Sequence, residues 1–176
     1  RAGLNPLSDL KMMFSLKSIL ENIKVDVVLS YFVKPVIFGT LAARLARIPK
    51  RIAMLEGLGF AFTKQPEGMA FKTRLIQKVQ RLLYQFSLPS STHLIFLNPD
   101  DRDEILLEQK MSLNEVTVLG GIGLDLEQFA YHPAKQSNKR FLFIGRLLKE
   151  KGIFEFLEAA KKVKRVYPDA DFVILG

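Results

Sequence analysis

The sequence predicts an α/β protein built on parallel sheets, with its elements in two sets that are both incomplete. Three observations predict this. Short apolar runs rich in β-branched residues alternate with amphipathic stretches of helical period, the pattern of parallel βαβ units. A polar, turn-forming segment, Tyr131 to Lys139 (YHPAKQSNK), breaks that alternation and reads as an interdomain linker. Before it the pattern gives about four strands, and after it two more before the chain stops. The expected division is therefore a first domain over 1–130, a linker over 131–139 and the start of a second domain over 140–176.

The elements follow in order. Asn5-Pro6 opens the first helix, asparagine as cap and proline at the first helical position. Leu10, Met13, Phe14, Leu16 and Leu20 give that helix, which runs to Asn22, a stripe to bury. Val25 to Phe32 (VDVVLSYF) is a strand. Pro35 to Ile48 reads as a tightly packed helix, because Gly39, Ala42, Ala43 and Ala46 permit close approach. Arg51 to Leu55 is the next strand, and Glu56 to Phe62 (EGLGFAF) the loop after it. Met69 to Phe86 is a long amphipathic helix with Leu75, Ile76, Val79, Leu82, Leu83 and Phe86 on its apolar face.

His93 to Leu97 is a strand, Pro99 to Lys110 a helix, Val116 to Leu119 a strand, and Gly120 to Gly123 a glycine-rich turn. Beyond the linker, Phe141 to Ile144 are four consecutive apolar residues, as in a strand covered on both faces. Gly145 lets the backbone turn into a basic loop. From Ile153 the apolar residues recur at Phe156, Leu157, Ala160, Val163 and Val166, which is helical spacing. A turn at Pro168-Asp169 leads to a last strand, Asp171 to Leu175.

Composition narrows the classes. A compact body of this length buries about 70% of its unfolded surface, and 48% hydrophobic residues argue against disorder. With no Cys there are no disulfides, thiol nucleophiles or thiolate metal sites, which fits a reducing compartment. No signal peptide is visible, and an opening Arg1 rather than Met reads as a piece of a longer protein. The charge-free run Leu82 to Pro99 holds too many polar residues to be a transmembrane helix. Net charge is +8, divided as +9 over Arg1 to Thr92, −6 over His93 to Ala130 and +5 over Tyr131 to Gly176. A basic first half points to an anionic partner: a membrane surface, nucleic acid or a phosphorylated substrate.

In open α/β sheets, ligands bind outside the carboxyl ends of the strands. Arg146 and Lys151 flank such an end, just before a helix whose N–H groups favour an anion. A planar fork and a point charge there would clamp a diphosphate; the alternative is a solvated basic loop. Lys34 stands after VDVVLSYF at the same kind of edge, as a phosphate ligand or as a solvent-facing turn lysine. Glu56 follows RIAML and precedes Gly57 and Gly59, which let backbone approach a bound group. Its carboxylate is the candidate catalytic group, a base or hydrogen-bond acceptor for a substrate hydroxyl; the alternative is a glutamate capping a turn. Asn98-Pro99-Asp100-Asp101 with Asp103 suggests a metal cluster, but a cap followed by acids on the helix dipole explains it better. His93 and His132 lack a second ligand at zinc spacing. Lys72, Arg74, Lys78 and Arg81 put a basic side on the long helix, which either lies on an anionic bilayer or covers a sheet with that side in water.

Several of these segments carry a resemblance. GRLLKEKG with its helix and a strand ending in Gly176 is similar to the donor domain of family 4 retaining glycosyltransferases of the GT-B fold, which has two Rossmann-like domains. GGIGLDLEQF resembles the passage between their domains. RAGLNPLSDL, SYFVKPVIFGTLAARLARIPKR, EGLGFAFT and FLNPDDRDE resemble the bacterial subgroup that adds N-acetylgalactosamine or a similar sugar to an undecaprenyl-diphosphate-linked acceptor.

The resemblance implies that Arg146 and Lys151 hold the diphosphate of a UDP-sugar donor and stabilise the leaving group. It places Glu56 where many relatives carry a His or another polar residue facing the acceptor, and lines the acceptor side with Lys34, Gly57 and Gly59. It implies no cofactor and no metal requirement, a polyprenyl-diphosphate-linked acceptor, no nucleic-acid partner, and a cytoplasmic, peripheral place on the inner face of a bacterial membrane. Relatives also have earlier strands with a glycine-rich loop, and a later pair of glutamates that contacts donor sugar and ribose. Without them the 176-residue chain is expected to be inactive alone. A non-catalytic basic module for nucleic acid or membrane, and a GT-B-like sugar-nucleotide epimerase, are the alternative readings.

Overall fold

A computed structural model describes residues 5–59, 62, 71–107, 111, 113, 115–133 and 139–176. Outside them fall the first four residues of RAGLNPLSDL, part of the expected loop EGLGFAF, Met69 and Ala70 of the long helix, the end of the helix expected to reach Lys110, and the centre of the expected linker. The chain divides into two compact units, Arg1–Gly123 and Leu124–Gly176.

The first unit begins with helix α1, Pro6–Ile23. Asn5 caps it, its side-chain oxygen accepting from the Ser8 N–H at 3.2 Å, and Lys24 ends it in the left-handed region. Strand β1, Val27–Tyr31, leads into a π-helical turn, Pro35–Gly39, that runs on into α2, Thr40–Leu45. The helix expected over this stretch thus opens with a wide turn. A Cβ on Gly39 would stand 2.9 Å from the Ser30 hydroxyl oxygen, so glycine here lets the turn sit against β1.

β2, Lys50–Leu55, α3, Phe71–Ser87, β3, His93–Phe96, α4, Pro99–Leu106, and β4, Val116–Val118, complete the unit. The four strands form one parallel sheet in the order β1-β2-β3-β4. Ala53 and Leu55 of β2 and Leu94 and Phe96 of β3 are fully buried, and with Val36, Ala42, Tyr84, Leu88 and Ile105 they make the core. Asn98 caps α4 by accepting from the Asp101 N–H at 2.7 Å, with Asp100 and Asp101 in the first turn. The acidic run is therefore a helix start.

Two helix faces differ from the expectation. On α1, Met13 and Leu20 are buried, but Leu10 and Phe14 are exposed. On α3, Leu75, Val79, Leu82 and Phe86 are exposed and Ile76 and Leu83 half-buried, Leu83 against the core, while Thr73, Tyr84 and Ser87 are buried and Gln80 half-buried. The stripe that packs is the one whose small or hydrogen-bonding side chains fit the neighbouring chain. Apolar spacing locates an apolar face and does not say which face the fold covers.

The second unit contains β5, Arg140–Ile144, α5, Ile153–Val166, and β6, Asp171–Leu175, with β5 and β6 parallel. Phe141 stacks on Phe172 at 4.9 Å between ring centres, and Phe143 and Phe172 meet Phe156 of α5 at 5.5 and 5.7 Å. The run Phe141 to Ile144, expected to be covered on both faces, is covered on one. Within this unit a single helix shields one side of two strands, and Leu142 and Ile144 project from the other. Among the described residues no helix is long and apolar enough to cross a membrane.

These burial differences give a stability test. Phe96→Ala should cost about 3–5 kcal/mol in urea unfolding, because it empties a filled site. Leu82→Gln on α3 should stay within about 0.5 kcal/mol, because that side chain is already in water.

Candidate functional site

In parallel strands that alternate with helices, every strand-to-helix connection leaves from the carboxyl edge, and both units place candidate residues there. In the first unit β1 and β2 run side by side, with Tyr31 opposite Met54. Lys34 lies just past the end of β1, and Glu56, Gly57 and Gly59 just past the end of β2. Gly57 has φ of 142° and Gly59 of 83°, both in the region that disfavours a side chain. A Cβ built on Gly59 would lie 3.5 Å from Val33, so the two connections touch beside Lys34.

The charges at this edge are arranged differently. The Lys34 ammonium donates to both carboxylate oxygens of Asp9 at 2.9 and 3.0 Å, which ties α1 to the connection after β1. Asp9 lies in the first turn of α1, and nothing in its local sequence marks this pairing. Glu56 is half-buried and makes no hydrogen bond or ion pair with another described residue.

The connection after β2 is held from behind. Gln80 of α3 donates to the Leu58 carbonyl at 2.9 Å and to the Tyr84 hydroxyl at 3.0 Å. Tyr84 is fully buried. Burial pushes its phenol up to about 12, against a partial offset from the Gln80 hydrogen bond and a small further rise from the Asp101 charge. Residue pattern alone does not reveal these two supports, since Gln80 reads as one more polar position on an amphipathic helix.

In the second unit the connection from β5 to α5 runs from Gly145 to Gly152. The Gly145 N–H donates to the Leu175 carbonyl of β6 at 3.0 Å, and a Cβ on Gly176 would meet the Gly145 carbonyl oxygen at 2.6 Å. Backbone therefore packs closely where both strands end. The Arg146 carbonyl accepts from the Leu148 N–H at 2.8 Å, and Lys149–Lys151 form one 3-10 turn. Gly152, with φ of 81°, then starts α5. Arg146 and Lys151 stand near the two ends of this turned segment, and both are exposed. Such a frame can present a guanidinium, an ammonium and the N–H groups of a helix start to one anion.

The remaining candidates lie elsewhere. His93, at the amino end of β3, contacts Glu115 at 2.9 Å and Thr117 at 2.8 Å. His132 is exposed. Among the described residues no group of three or more His, Cys, Asp and Glu could hold a metal ion.

Comparison with known proteins adds to this geometry. The glycosyl transferase 4-like family model matches residues 2–98, and the model of glycosyl transferases group 1 matches residues 125–176. A Campylobacter jejuni protein, N,N'-diacetylbacillosaminyl-diphospho-undecaprenol alpha-1,3-N-acetylgalactosaminyltransferase, is 33% identical over 100% of this chain and 48% of its own length. An Escherichia coli UDP-Gal:alpha-D-GlcNAc-diphosphoundecaprenol alpha-1,3-galactosyltransferase is 30% identical over 99% of this chain and 46% of its own. The chain thus spans about half the length of the curated relatives it matches. The solved structure of Staphylococcus aureus MnaA with UDP superposes with a TM-score of 0.56 at 18% identity, over 98% of this chain and 46% of that one. That likeness shows the fold, mixed α/β with parallel sheets of the GT-B type.

The buried phenol gives this site a pH signature. From an ordinary value of 10.0 it rises to about 12 in the folded chain. Between those values the unfolded chain releases the proton while the native chain keeps it. Stability present in full below pH 10 should therefore fall as pH rises towards about 12, by up to about 3 kcal/mol. Denaturant unfolding of the parent and Tyr84→Phe across that range should show the fall in the parent and a shallower one in the variant.

Proposed function

This chain belongs to the glycosyl transferase 4-like family, and from that premise we propose that it is part of a retaining glycosyltransferase. The whole enzyme moves a sugar, an N-acetylhexosamine on this reading, from a UDP-sugar to a polyprenyl-diphosphate-linked saccharide in bacterial surface-glycan synthesis. The names of the Campylobacter jejuni and Escherichia coli relatives, each with a diphosphate-linked undecaprenol acceptor, support that choice. The observation that carries the reading is the β5–α5 connection, where Arg146 and Lys151 bracket one tight turn at the carboxyl edge.

The chemistry follows from what each group can do. The bond between the anomeric carbon and the UDP oxygen breaks, and negative charge gathers on the diphosphate. Arg146 offers a bidentate fork and Lys151 a point charge to that oxygen cluster, stabilising it as it leaves. The acceptor hydroxyl forms the new bond to the anomeric carbon, with retained configuration, and gives up its proton. Glu56 is the group we assign to accept or steer that proton. Lys34 exchanges Asp9 for the acceptor phosphate, and Gly57 and Gly59 let the acceptor approach the backbone. Two cations carry the leaving-group charge, so no metal and no other cofactor is required. The enzyme works peripherally at the cytoplasmic face of the bacterial membrane, and nucleic acid is not a partner. The 176-residue chain alone, about half the length of its relatives, does not turn over.

Titration calorimetry of the full-length protein tests the central claim. Arg146→Ala should weaken UDP binding by about 10- to 100-fold, the loss of one charge-assisted interaction of about 1.5–3 kcal/mol. A chelator should leave turnover unchanged, and nuclear magnetic resonance of the product should show the donor's anomeric configuration. Unchanged UDP affinity in Arg146→Ala sinks the assignment.

A further inference from the structure

Helix α3 turns only the edge of its apolar face inward, with Ile76 and Leu83 half-buried and Leu83 against the core, and leaves the middle of that face in water. Phe71, Leu75, Val79, Leu82 and Phe86 fall within an arc of about 80° on the helix, and each is roughly half or more exposed, from 48% for Val79 to 83% for Phe71. The opposite arc, Thr73, Gln80, Tyr84 and Ser87, faces the domain. Lys72 borders the apolar arc on one side and Arg74 and Lys78 on the other, all three exposed. No Asp or Glu occurs in Phe71–Ser87.

A helix with an apolar strip, cationic margins and no acid has the chemistry to lie in the plane of an anionic bilayer. The geometry points to α3 as the element that docks this protein on anionic phospholipid, burying Phe71 to Phe86 among the acyl chains with the three cations at the headgroups. Charge complementarity selects lipid over a second protein surface: a helix-in-groove partner needs the apolar strip, but nothing in such contact calls for cations on both margins without one acid between them. The inference rests on the proposed function only in that the acceptor is membrane-held.

Docking there has a structural consequence. Gln80, on the inward arc, holds the Leu58 carbonyl between Gly57 and Gly59. The lipid-facing strip and the acceptor-side connection are thus two sides of one helix. Settling α3 at a fixed depth also fixes the height of that connection above the bilayer, where a lipid-linked diphosphate emerges.

The test is flotation of the full-length protein with phosphatidylcholine vesicles, with and without roughly 30% phosphatidylglycerol as the anionic component. Two triple variants are compared with the parent, Leu75→Gln/Val79→Gln/Leu82→Gln and Lys72→Gln/Arg74→Gln/Lys78→Gln. Each should lower binding to the anionic vesicles by about tenfold or more, with melting temperature, light-scattering mass and UDP affinity unchanged. A Leu75→Trp variant should gain a blue-shifted emission component with vesicles that the parent lacks. Vesicle binding equal to the parent's overturns the proposal. So does a fall in melting temperature, which would mean that another part of the polypeptide covers the strip, or a change in mass, which would mean a second copy does. UDP affinity reports separately on the proposed function: its absence in the parent would sink that reading and leave the vesicle result to stand by itself.

Discussion

Parallel pairing is the constraint from which the rest of the structure follows. Each strand of β1-β2-β3-β4 must be re-entered from the same end, so each connection from a strand to the next helix emerges at one edge. That single fact gathers Lys34, Glu56, Gly57 and Gly59 from two separate stretches of chain. It acts again in the second unit, where β5 and β6 end together at Gly145 and Gly176 and hand the chain to the basic turn.

An edge of this kind needs support, because its loops carry charge and glycine, and Leu58 and Val33 anchor them to the core at only single points. The first unit supplies it through polar contacts. Asp9 holds Lys34 across to α1, and Gln80 holds the Leu58 carbonyl while Tyr84 closes the core behind it. A half-buried amide and a buried phenol that satisfy each other cost little and fix geometry, whereas an unmatched buried polar group would cost about 1–3 kcal/mol. Using the polar stripe of α3 in this way leaves Phe71, Leu75, Val79, Leu82 and Phe86 on the outside, so one choice of packing accounts for both the held loop and the exposed strip.

Local signals were legible wherever the physics is local. Caps at Asn5 and Asn98, proline in the first helical turn and strands at apolar runs depend on neighbours within a few residues, and all are present. Spacing misled where burial was inferred from it. Leu10, Phe14, Leu75, Val79, Leu82 and Phe86 obey helical period yet face outward, and Leu142 and Ile144 follow strand alternation away from α5. The periodic pattern gives the direction of each side chain about its own axis and carries no information about what stands opposite.

By itself the sequence determined the fold class, the order of the elements and the residues that border each strand-to-helix connection, since these follow from period, caps and chain order. Only the tertiary structure decided that Lys34 pairs with Asp9, that Gln80 and Tyr84 brace the connection after β2, and which side of α3 meets the domain. The Lys34–Asp9 and Gln80–Leu58 contacts join residues 25 and 22 positions apart. They depend on how closely two surfaces fit once the sheet is formed, and no single stretch of chain encodes that fit.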